Sequence, residues 1–104
     1  MSKKESGLNG AFTAVRGAAE PYELHLPTRV DVKAIRSRTG LTQKDFATTF
    51  GFGFDQLKQW EQGRSGPVRP LRAYLLLINS EPLKMVQALR AIDRQDHADG
   101  ARKA

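Results

Sequence analysis

An all-α fold is predicted for this chain from three observations. Residues 41–51, Leu41-Thr42-Gln43-Lys44-Asp45-Phe46-Ala47-Thr48-Thr49-Phe50-Gly51, are followed by Leu57 and then Trp60-Glu61-Gln62-Gly63, which reads as two short helices joined by a tight turn. Helix start and stop signals recur from Val30 onward. Farther along, Leu71, Tyr74, Leu75 and Ile78 repeat at helical spacing. Together they predict a compact five-helix domain over residues 29–92. It is preceded by a flexible helix/strand arm (1–28) and followed by a polar tail (93–104).

Each element has its own signal. In the arm, Leu8, Phe12, Val15 and Ala19 fall on one helical face, but Gly7, Gly10 and Gly17 make that helix marginal on its own. Pro21 and Pro27 then bracket Tyr22-Glu23-Leu24-His25-Leu26, which alternates with period two as a strand does. A single strand cannot satisfy its own backbone, so this one is expected to pair with a second copy or another protein. Asp31 can cap the first helix, with Val30 and Ile35 as a hydrophobic staple, and Gly40 ends it. Thr42 caps the second, Leu41 and Phe46 repeat the staple, and Gly51 ends it in a left-handed conformation. The third runs from about Phe54 to Gln62 and closes on Gly63. Pro70 suits the first turn of the fourth. Ser80 and Pro82 open the fifth, with an expected stripe of Leu83, Val86, Leu89 and Ile92; from Asp93 the chain is expected to fray.

Composition narrows the function. The net charge is +6 over 104 residues, and its excess is local. Residues 29–72 hold nine basic and four acidic side chains, whereas residues 1–28 hold three of each. The positive charge therefore coincides with the two-helix motif, as a polyanion-binding surface requires. Hydrophobic residues make up 39% of the chain, low enough that part of it is expected to be loose or ordered by a partner. The absence of cysteine excludes disulfides and Cys-ligated zinc and fits a cytoplasmic location. The longest apolar run, residues 73–78, is too short to cross a bilayer, and no secretory signal is read. His25 and His97 have no companion at metal spacing, Asp93, Asp96 and Asp99 form no Ca²⁺ loop, and no nucleophile–base set or glycine-rich phosphate loop is present. No metal, cofactor or catalysis is expected.

The same spacing yields a nucleic-acid surface. Leu57 and Trp60, with Phe46 and Phe50, seal the third helix to the core, and Ala47 lies where the second and third helices approach most closely. The other face of the third helix then carries Phe54, Asp55, Gln56, Lys58, Gln59 and Gln62. Gln can pair with adenine, Lys can donate to guanine, Asp can accept from cytosine, and Phe54 can pack on a thymine methyl. Gln43 and Lys44 stand at a helix N-terminus, where free N–H groups and the dipole favour a phosphate. Arg64, Arg69 and Arg72 follow and can hold the DNA backbone, contacts that position rather than read.

Ile35-Arg36-x-x-x-Gly40-Leu41-Thr42-Gln43, Phe46-Ala47, Phe50-Gly51 and Trp60-Glu61-x-Gly63 resemble the phage-repressor (Cro-type, XRE) helix-turn-helix family. Gly63-Arg64-x-x-Pro67, Pro70-x-Arg72-Ala73-x-Leu75-Leu76 and Glu81-Pro82 resemble its HigA-type antitoxin branch. The likeness covers residues 30–92. It implies a five-helix domain, usually a homodimer on palindromic double-stranded DNA. It also implies a structural ion pair that falls on Arg36 and Glu61, and base-reading positions that fall on Phe54, Asp55 and Gln59. Two departures stand out: Gly53 occupies the usual Ser or Thr cap position, and Phe54 and Asp55 replace polar, uncharged readers.

Two roles follow as expectations. One is a sequence-specific transcriptional repressor. The other, implied by the resemblance, is the antitoxin of a type II toxin–antitoxin pair that neutralises a HigB/RelE-like ribonuclease and autoregulates its operon. Residues 1–28 would bind the toxin, through Leu8, Phe12, Val15, Tyr22, Leu24 and Leu26. The alternative is a stand-alone prophage-type regulator whose arm serves only its own dimer. From composition, disorder and partner binding of residues 8–26 are equally compatible; the alternation at Tyr22, Leu24 and Leu26 and the resemblance favour binding.

Overall fold

Five helices form, each bounded largely by the residues that predict it. The computed structural model describes residues 23–100, with side chains described for residues 23–95. The helices are α1 (Val32–Thr39), α2 (Gln43–Phe50), α3 (Phe54–Glu61), α4 (Arg69–Ser80) and α5 (Pro82–Gly100). The Asp31 carboxylate accepts from the Ala34 N–H at 3.0 Å, and the Thr42 hydroxyl accepts from the Asp45 N–H at 3.1 Å. Each cap satisfies one of the orphan donors at a helix start.

The turn between α2 and α3 follows from Gly51. Its φ of 83° lies in the left-handed region, which lets the Phe52 N–H turn back onto the Ala47 carbonyl at 2.9 Å. That closure folds the Phe52 ring onto Phe46, parallel within 10° and 5.7 Å between centroids. Phe52 also meets Trp60 edge-on at 5.6 Å and Tyr74 at 5.4 Å. A turn residue that the periodicity gives no role is thus the hub of an aromatic cluster joining α2, α3 and α4. The Tyr74 hydroxyl donates to the Phe50 carbonyl at 2.9 Å, satisfying an orphan acceptor at the end of α2. Burial raises the Tyr74 pKa above its ordinary value.

The core is Val32, Ile35, Phe46, Ala47, Phe50, Leu57, Trp60, Leu75 and Ile78. It includes Phe46, Phe50, Leu57, Trp60, Leu75 and Ile78, all expected inside; Leu71 and Tyr74 pack against it half-buried.

The fifth helix differs from expectation in three ways, the first being that it opens at Pro82 while Ser80 is the last residue of α4. Its inner face is Met85, Val86 and Leu89, whereas Leu83 and Ile92 are 66% and 64% exposed. Leu83 and Ile92 are nine residues apart, half a rotation out of phase, so they cannot share one buried stripe. The helix also continues past Asp93 to Gly100 rather than fraying. No Gly or Pro interrupts residues 83–99, and extending an existing helix adds a hydrogen bond for each residue ordered.

No strand occurs among the described residues. Glu23 to Leu26, expected as a strand, has no regular secondary structure. Leu24 is 48% exposed, and its carbonyl accepts from Arg69. Leu8, Phe12, Val15 and Tyr22 lie outside the described residues.

Candidate nucleic-acid interface

α3 is divided lengthwise. Leu57 and Trp60, one turn apart, are buried. Phe54, Asp55, Gln56, Gln59 and the capping Gln62 are exposed. Beyond the helix, Gly63 takes a φ of 76°, and the Arg64 N–H closes on the Gln59 carbonyl at 3.0 Å, a Schellman-type end. Asp55, Lys58, Gln59, Gln62 and Arg64 line one shallow concavity on this outer face.

Behind the helix, Arg36 of α1 grips Glu61 with two hydrogen bonds, Nε to Oε2 at 2.6 Å and Nη2 to Oε1 at 2.9 Å. A third Arg36 bond, from Nη1, reaches the Leu41 carbonyl at 2.9 Å. Glu61 is nearly buried, its side chain 3% exposed. Burial alone raises its pKa. Hydrogen bonds from Arg36 and Gln43, with the charges of Arg36 and Lys33, outweigh that and hold it below the ordinary value. The same pairing raises the Arg36 pKa, against a smaller lowering by burial.

The structure sorts the residues expected at DNA into two groups. Phe54, Asp55, Gln56, Gln59, Gln62, Lys44 and Arg64 are exposed as expected. Four others are engaged within the protein. Lys58 is half-buried beside Asp55 and Phe54. Gln43 donates to Glu61 Oε1 at 3.1 Å, which brings the N-terminus of α2 against the C-terminal end of α3. Arg69 is exposed but donates to the Leu24 carbonyl. Arg72 is the clearest departure. It is half-buried and donates to the Pro67 carbonyl at 3.0 Å, and its Nε is buried with no hydrogen-bond partner among the described residues. Arg72 therefore fastens the α3–α4 loop rather than facing outward. The signal was available, since Arg72 lies one position beyond Leu71 and two before Tyr74, beside the inward stripe of α4.

Gly53 starts α3 without a side-chain cap. Among the described residues, no three His, Cys, Asp or Glu side chains gather as a metal site would need, and no helix is long and apolar enough to cross a membrane. Comparison with protein-family models and with curated proteins finds no match.

Proposed function

We propose that this chain is a sequence-specific DNA-binding transcriptional repressor that acts as a homodimer on a palindromic operator. The observation that carries this reading is the division of α3. One face is locked to the core by Leu57 and Trp60. The other offers Phe54, Asp55, Gln56, Gln59 and Gln62, beside the exposed cations Lys44 and Arg64. A helix with a rigid back and a polar front is what major-groove reading needs. The net charge of residues 29–72 supports the same reading.

The resemblance of residues 63–82 to the HigA-type branch extends the proposal. The chain acts in the cytoplasm as an antitoxin, neutralises a HigB/RelE-like ribonuclease through residues 1–28, and represses its own operon. Capture of a small basic toxin from the native host, with a gel shift on the gene's own promoter, tests both roles. Truncation before Thr28 is expected to abolish neutralisation and spare DNA binding. A truncated protein that still protects cells would overturn the role of the arm. A promoter shift with no toxin captured favours the stand-alone regulator.

A further inference from the structure

On the outer α3 face, Lys58 meets two neighbouring side chains. Lys58 Nζ stands 3.5 Å from Asp55 Oδ1 and 4.6 Å from the centre of the Phe54 ring. Asp55 remains open, its side chain 87% exposed against 40% for Lys58. A surface pair at this spacing contributes little to folding, so stability does not account for it. Its chemistry bears on recognition. A carboxylate entering a groove walled by phosphates is repelled unless a base-edge donor meets it. In the major groove those donors are the amino groups of cytosine and adenine. Adenine's amino group in an A·T pair lies between two acceptors, adenine N7 and thymine O4, so the second carboxylate oxygen would face one of them. In a G·C pair the cytosine amino group lies to one side, and guanine O6 and N7 lie together on the other. An acceptor beside a multi-proton donor, as Asp55 and Lys58 present, matches the second pattern. The Phe54 ring beneath the ammonium keeps it near Asp55 instead of a phosphate.

We infer that Asp55 and Lys58 together read one G·C base pair, the carboxylate accepting from cytosine N4 and the ammonium donating to guanine O6 and N7. This rests on the DNA-binding reading above and gives it a specificity element. Asp55 acts as the filter, weakening every duplex in which acceptors flank the amino donor at that step.

Selection from random duplexes with the wild-type chain, Asp55→Ala and Lys58→Ala tests it; Asp55 is exposed and Lys58 half-buried, and circular dichroism checks folding. Wild-type sites should share a G·C pair. Both variants should lose preference at that same pair, by roughly 5- to 150-fold in the ratio of affinities for G·C and A·T duplexes. N4-methylcytosine at that step should weaken the wild-type chain and leave Asp55→Ala unaffected. Retained preference in either variant, or relaxation at two different base pairs, overturns the inference while leaving DNA binding intact. Failure of the wild-type chain to enrich any sequence overturns the DNA-binding reading as well.

Discussion

Arg36 and Glu61, 25 positions apart in sequence, are joined by two side-chain hydrogen bonds that pin α1 to the end of α3. The pair lies behind the proposed reading face, so it governs where that face stands. Glu61→Ala leaves the Arg36 charge poorly paired in a mostly buried place and should destabilise the fold by about 3 kcal/mol. Replacing both partners, as in Arg36→Met with Glu61→Leu, should recover much of that loss. Urea unfolding of the three proteins measures it; equal stability of Glu61→Ala and wild type would deny the pair its role.

The same pair predicts how stability follows pH. Glu61 has a pKa lowered from 4.5 in the folded chain. Its contribution is fully present above 4.5, where unfolded and folded chains are both ionised, and is lost as pH falls through the lower folded value. Between those two values the unfolded chain binds the extra proton. Thermal melts across that acidic window should drop more steeply for wild type than for Glu61→Gln. Parallel profiles would contradict the assignment.

Phe52 and Phe54, two residues apart, should behave oppositely. Phe52 is half-buried against Phe46, Trp60 and Tyr74, so Phe52→Ala should cost about 2–3 kcal/mol of stability, below the range for a fully buried phenylalanine. Phe54 is 43% exposed, so Phe54→Ala should stay within about 0.5 kcal/mol while altering DNA binding. Chemical denaturation and gel shift on each variant separate the two effects.

Gly51 offers a test of backbone conformation alone. A Cβ there meets nothing within 4 Å, yet φ is 83°. Gly51→Ala should therefore cost about 1 kcal/mol through the left-handed conformation, and Gly51→Asn less, because Asn tolerates that region. A larger penalty for Asn than for Ala would point to packing instead.

Much of this architecture was legible in the sequence. Asp31, Thr42, Gly40, Gly51 and Gly63 mark helix ends because capping is local chemistry, read within a few residues. The outward face of α3 was legible because Leu57 and Trp60 fix its phase. The Arg36–Glu61 pair was not visible in spacing; the family resemblance alone implied it. The role of Phe52 is not legible in periodicity, because a turn residue carries none, although a large apolar side chain just after a helix-ending glycine commonly folds back on the last turn. The stripe of α5 slipped in phase because Leu83 and Ile92 are apolar but lie on opposite sides, and Met85 does the packing. Charge alone points Arg72 outward, but its position in α4 turns it toward the Pro67 carbonyl.

The most direct measurement is a titration of the isotope-labelled full chain with duplex DNA of its own promoter, followed by backbone amide NMR at low and moderate salt. Perturbations are expected to concentrate at Phe54 to Gln59, Gln62, Arg64 and Lys44, weakening steeply as salt rises, with little change at Leu83 or Ile92. Perturbations confined to α5, or none at low salt, would contradict the DNA-binding reading.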